Sequence, residues 1–203
     1  VYKSFFKYKD SEELYKLSIS KKKDYFNAYV NYGNLKRDLN KFDEAIELYK
    51  EALKYNQNVS AVYYSLSMAY QSLGKFKEAE HYADKTIELD KKYTKADLLI
   101  SRSRRYSNKD QHLNDMLNKS KNEDLNESEK IDLYFAIAKA YEDLGEMNNT
   151  FKYLEEGNKL KRLTVKFDLK SEKKTFKDIK NVFSDLNLDQ NNDKNISEKK
   201  IIF

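Results

Sequence analysis

The 203-residue chain balances 39 Lys and Arg against 34 Asp and Glu, a net charge of +5, and has no cysteine and no proline. Without cysteine it can hold neither disulfides nor thiolate–metal sites, and no run of sequence approaches the ~18 apolar residues of a membrane span. A mean hydropathy of −0.94 with 36% charged residues would suit a disordered chain, but 17 tyrosines and 11 phenylalanines at helical spacing predict packed helices instead.

Residues 1–25 read as the tail of a repeat, with 1–9 the remnant of its first helix. Asp10 is placed to cap a second helix, with Glu13 at the third position. The chain opens on Val1 rather than Met and shows no secretory leader, so an excerpt of a longer protein is expected.

Residues 26–59 then lie over 60–93 without a gap, a 34-residue period. Tyr29 falls on Tyr63, Tyr32 on Leu66, Gly33 on Ser67, Phe42 on Phe76, Ala45 on Ala79 and Ala52 on Thr86. The small residues at the eighth, twentieth and twenty-seventh places let two helices of one unit approach. Large ones at the fourth, seventh, eleventh and twenty-fourth places fill the gaps between ridges. Asn40 and Gly74 occupy the turn, where a left-handed residue is wanted. This pattern resembles the tetratricopeptide repeat, apart from Gln57 and Lys91 standing where a proline is usual. The resemblance implies an all-α, right-handed superhelix of paired helices.

After Tyr93 the pattern weakens. Ala96, Leu99 and Ile100 start a helix that runs into Arg102, Arg104, Arg105 and Tyr106 without a turn glycine. Leu113, Met116 and Leu117 predict a short helix over 110–120, and 121–126 is a polar loop. Asn126 followed by Glu129 signals the next cap. A clear unit returns at Ile131, with Tyr134, Ile137, Ala138 and Tyr141 on its first helix and Gly145 at its turn. Gly157 inside its second helix predicts a close helix crossing. The array is thus expected over 1–164, in units 1–25, 26–59, 60–93, 94–126 and 127–164. Residues 164–170 read as an extended connector. Phe176, Ile179, Phe183 and Leu186 mark an amphipathic helix expected to cap the stack, and 187–200 a polar linker.

The run 138–162, AKAYEDLGEMNNTFKYLEEGNKLKR, with the helix after it, resembles the N-terminal region of bacterial tetratricopeptide-containing sulfotransferases. There such a helix leads through a connector, an amphipathic helix and a linker to the first strand of the catalytic domain, which 200–203 would begin. The resemblance implies a parent enzyme using the activated-sulfate donor PAPS. No donor-binding or catalytic residue of that family falls within the chain.

No chemistry emerges from the residues themselves. The four glycines are scattered at repeat places, not clustered as a phosphate cradle. His81 and His112 lie in separate units with no second ligand at helical spacing, so neither a metal site nor a catalytic site is expected. Binding is expected instead in the concave groove lined by the first helices of the units. Asn27, Val30, Asn34 and Arg37 line it, then Ala61, Tyr64, Met68 and Gln71, then Lys95, Leu98, Arg102 and Arg105. Amides and aromatics at one end and cations at the other suit an extended peptide with an acidic stretch. The alternative for Arg102, Arg104 and Arg105 is a solvated edge. The carboxylate clamp of chaperone-binding relatives is only partly matched, since Ser65 and Leu99 replace its second amide and its arginine. The expected role is a non-catalytic protein-binding module, cytoplasmic, with no nucleic-acid or membrane partner. A stand-alone scaffold that self-associates and docking of the chain's own C-terminal domain are the alternatives.

Overall fold

A computed structural model describes residues 2–164 and 168–184, and among these every regular element is an α-helix. In order they are α1 (Tyr2–Lys21), α2 (Phe26–Asp38), α3 (Phe42–Tyr55), α4 (Ser60–Ser72), α5 (Phe76–Leu89), α6 (Thr94–Ser103), α7 (Gln111–Lys119), α8 (Glu127–Asp143), α9 (Met147–Thr164) and α10 (Leu169–Ser184). The chain divides into two units, Val1–Leu163 and Thr164–Phe203. In the first, α2 pairs with α3 and α4 with α5, while α2, α4, α6 and α8 touch in succession. This even-numbered row carries the residues expected to line the groove.

The same place in three units forces the turn between paired helices. Asn40, Gly74 and Gly145 adopt left-handed backbone at φ 58°, 70° and 73°. The next residue's N–H then closes back onto the helix: Lys41 onto Lys36 O at 2.8 Å, Lys75 onto Tyr70 O and Glu146 onto Tyr141 O, each at 3.0 Å. These bonds satisfy carbonyls that the helix end would otherwise orphan.

Close packing follows from the small places. Gly33, Ser67, Ser101 and Ala138 are buried along the even-numbered helices, and Ala45, Ala52, Ala79, Thr86, Thr150 and Gly157 along their partners. A methyl on Gly33 would lie 2.6 Å from the ring of Tyr49, and one on Gly157 would lie 3.2 Å from that of Phe135. The predicted crossing at Gly157 is therefore present. Large residues fill the rest in two adjoining cores. One runs through Tyr49, Leu66, Val62 and Ile100 and the other through Tyr106, Leu113, Met116, Leu133 and Ile137. Each such aliphatic side chain contributes roughly 1.5–3 kcal/mol by leaving water.

At the eleventh place the units alternate between a cation and an aromatic. Lys36, almost fully buried, bridges α1 and α3 through Glu12 at 3.0 Å and Glu44 at 2.6 Å. Arg104 does the same two units later, reaching Glu80 at 2.7 Å and Asp110 at 2.8 Å. Tyr70 and Tyr141 take the place in the units between and after. Arg104 is therefore a pinned residue, not part of a solvated edge.

Three expectations are corrected. No break occurs at Asp10, and α1 runs straight through it. No glycine or asparagine stands nearby to favour the left-handed turn, and a solvated Asp inside a helix costs only about 0.7 kcal/mol. The first helix of the third unit stops at Ser103, where Arg104 turns extended (φ −130°, ψ 169°). Tyr106 then drives its ring into the second core, its hydroxyl 3.2 Å from Ser101 Oγ. Finally, Thr164 ends α9 and Lys170 belongs to α10, which shortens the predicted connector. The helices expected at 110–120 and from Asn126 are present. Asp110 accepts from Leu113 N–H, and Asn126 forms a reciprocal capping box with Glu129. The linker 187–200 and the strand expected at 200–203 lie outside the described residues.

Candidate binding groove

Each residue of the groove is set by its place on an even-numbered helix. Asn27, Lys95 and Arg102 are exposed, whereas Asn34, Arg37, Tyr64, Met68 and Gln71 are half-buried. The buried Tyr49 hydroxyl donates to Asn34 Oδ1 at 2.8 Å. That bond orients the amide from beneath and leaves its NH2 as the group available to a ligand. Gln71 Nε2 donates to Ser103 Oγ at 3.0 Å, tying α4 to the end of α6. The Tyr64 ring leans on Tyr93, with centroids 5.0 Å apart at 45°, and Met68 packs beside it against the core.

The charges converge on Tyr64. Burial raises its hydroxyl pKa, Tyr93 and Asp132 add to the rise, and Arg102 and Arg37 oppose it. Arg37, Arg102 and Asp132, from α2, α6 and α8, thus all act electrostatically on Tyr64 of α4. Asp132 is the residue the sequence reading missed. Its pKa is raised by burial and drawn back by Lys95, Lys161 and Arg102. A recess of about 330 Å³ has Lys95 and Asp132 among its walls. The signal was available: counted from Ile131, Asp132 occupies the second place of its unit, as Asn27, Ala61 and Lys95 do of theirs. Strict counting by 34 from Lys95 falls short because the intervening unit is longer. Arg105 does not join the cluster, since it lies beyond the end of α6.

Tetratricopeptide-repeat profiles match residues 24–92 and 131–162. The chain carries tetratricopeptide repeats. The residues between the two matches hold the unit with the short helices α6 and α7. No curated protein sequence matches the chain significantly. Among solved structures, a crystal structure of MamA aligns with TM-score 0.63 at 16% identity, over 81% of this chain and 95% of that one. A second MamA structure gives 0.60 at 17% identity, over 82% and 91%. MamA from Desulfovibrio magneticus RS-1, from residue 41 onward, gives 0.54 at 13% identity, over 77% and 85%. At such identities the likeness is one of fold, and it agrees with a tetratricopeptide solenoid.

Gly33 and Gly157 are filled against by Tyr49 and Phe135, and Gly74 and Gly145 close helix turns. No group of three or more His, Asp or Glu that could hold a metal occurs among the described residues. None of the described helices is long and apolar enough to cross a membrane.

Proposed function

We propose that this tetratricopeptide array is a protein-interaction module that takes an extended, carboxylate-bearing peptide along its groove. The supporting observation is that Arg37 and Arg102, from the helices on either side, both act electrostatically on the half-buried Tyr64, while Tyr49 orients the amide of Asn34 on the same helix as Arg37. Arg102 and Arg37 fork onto carboxylates, Tyr64 and Met68 take an apolar side chain, and Asn34 bonds the peptide backbone. Asp132 holds part of the same cationic field and so competes with an incoming acid.

The test is fluorescence polarisation with an array of labelled acidic octapeptides interrupted by Leu or Phe. Arg102→Glu is expected to weaken capture by about tenfold, and Asp132→Asn to tighten it by about fivefold. Arg105→Glu, off the helix, is expected to change little. Equal loss from Arg102→Glu and Arg105→Glu would mean general charge attraction and not a groove.

An attached PAPS-dependent sulfotransferase domain is the finer reading, supported by the resemblance of 138–162. The coding sequence past Phe203 decides it: a glycine-containing phosphate loop supports the reading and a stop codon ends it. A second reading is self-association through the exposed face of α1. It is favoured by Leu14 and Leu17, which are 63% and 50% exposed on α1.

A further inference from the structure

Helix α10 belongs to the second of the two units and carries an apolar stripe beside a row of cations. Its sequence, LKSEKKTFKDIKNVFS, holds five lysines, two acids and no arginine. Every residue from Asp168 to Asn181 is exposed, including Leu169 at 54%, Phe176 at 69% and Ile179 at 47%. At about 100° per residue, Leu169, Phe176 and Ile179 fall within an arc of about 80°. Lys170, Lys173, Lys174, Lys177 and Lys180 fall within an adjoining arc of about 120°. None of the five lysines forms an ion pair among the described residues. Single exposed apolar side chains are ordinary, but three on one face of a helix, bordered by unpaired charge of one sign, mark a surface that meets something.

The two arcs fit a partner that is anionic at its surface and apolar beneath. We propose that α10 lies in the plane of a lipid bilayer bearing anionic headgroups, with its apolar stripe at the acyl boundary and its lysines among the headgroups. The lysine stems suit this placement, since they cover apolar surface while the ammonium stays in water. The expectation of no membrane partner rested on the lack of a spanning segment. No described helix spans, but lying on a surface requires an amphipathic face and not a long apolar run.

The cations themselves favour a bilayer over an acidic protein groove. Lysine is a hydrated point charge on a flexible stem and suits a diffuse anionic surface, whereas arginine's planar fork matches individual carboxylates. The groove of the array has Arg37 and Arg102, and α10 has only lysine. Glu172 gives a second reason. It points between the directions of Phe176 and Ile179, so a groove closing over the whole stripe would bury a carboxylate, which is costly. It stands in the first turn, where the helix dipole favours an acid. A slight tilt of the helix in a bilayer leaves that turn in water while Phe176 and Ile179 insert.

The experiment uses the whole chain carrying Phe176→Trp, whose indole reports on the stripe alone because the chain has no other tryptophan. Emission is followed while vesicles of equimolar phosphatidylcholine and phosphatidylserine, or of phosphatidylcholine only, are added. Before addition the indole is expected to emit as one in water. Anionic vesicles are expected to shift emission to the blue, and neutral ones to bind at least about tenfold more weakly. In the same background, Lys173→Gln with Lys177→Gln is expected to weaken binding by about thirtyfold, and Ile179→Glu to abolish the shift. Far-UV circular dichroism checks that each variant keeps the helicity of the array. Blue emission before any vesicle is added would mean that the protein itself covers the stripe, which overturns the proposal. Equal affinity for neutral vesicles overturns it as well. So does the absence of a shift with anionic ones, the result expected of a helix that docks an acidic protein instead.

Discussion

Gly33→Ala is the sharpest probe of how the repeat packs. On an exposed helix the change would stabilise by about 1 kcal/mol through propensity alone. Here the new methyl would stand 2.6 Å from Tyr49 Cε1 and 2.8 Å from Cδ1. Tyr49 is 0% exposed, so its ring has no open space to move into. Relieving the overlap means shifting α3 or turning the ring, an overpacking cost of about 1–3 kcal/mol. Turning the ring also breaks the hydroxyl bond to Asn34, worth about 1 kcal/mol. The sum is a net loss of about 1–3 kcal/mol, read as a lower urea midpoint by far-UV circular dichroism at unchanged slope. Gly157→Ala is the control, since it meets the half-buried Phe135 ring at 3.2 Å and a small displacement suffices. It is expected to stay within about 0.5 kcal/mol of the parent. In a Tyr49→Leu background, Gly33→Ala should cost almost nothing further, a coupling that a double-mutant cycle measures. Gly33→Ala that is as stable as the parent would refute the account of the eighth place. The same variant should weaken peptide capture, because Asn34 loses the hydroxyl that aims it.

Two further outcomes follow from the N-terminal end. The Glu12 carboxyl is held down at about 2 from an ordinary 4.5, first by Lys16 and then by Lys36. A depressed carboxylate stabilises the fold above its unfolded value and loses that contribution as pH falls through its folded one. The parent should therefore lose melting temperature more steeply than Glu12→Gln as pH falls from about 4.5 toward 2, and parallel curves would show that the pairing does not hold in solution. Leu14→Glu with Leu17→Glu should abolish any concentration-dependent association seen by sedimentation velocity, and unchanged association would exclude the α1 end as its origin.

The period, the turns and the small packing places were legible in the sequence because each is a steric demand within one unit. Asn40, Gly74 and Gly145 are needed where the backbone turns left-handed, and Gly33, Ala45 and Ala52 where two helices nearly touch. These demands recur at fixed spacing whatever the rest of the chain does. The partners of charged side chains carry no such period. Lys36 meets Glu12, Arg104 meets Glu80, and Asp97 meets Lys119, pairs 24, 24 and 22 residues apart. Lysine or arginine at the eleventh place and aspartate at the fourth look like ordinary surface charges until the neighbouring units are stacked on them. The continuity of α1 and the early end of α6 were likewise decided only in three dimensions. Local sterics fixes which helices form and how each pair closes. Long-range burial decides which charges are pinned, which stay open to a ligand, and where the stack leaves a cleft.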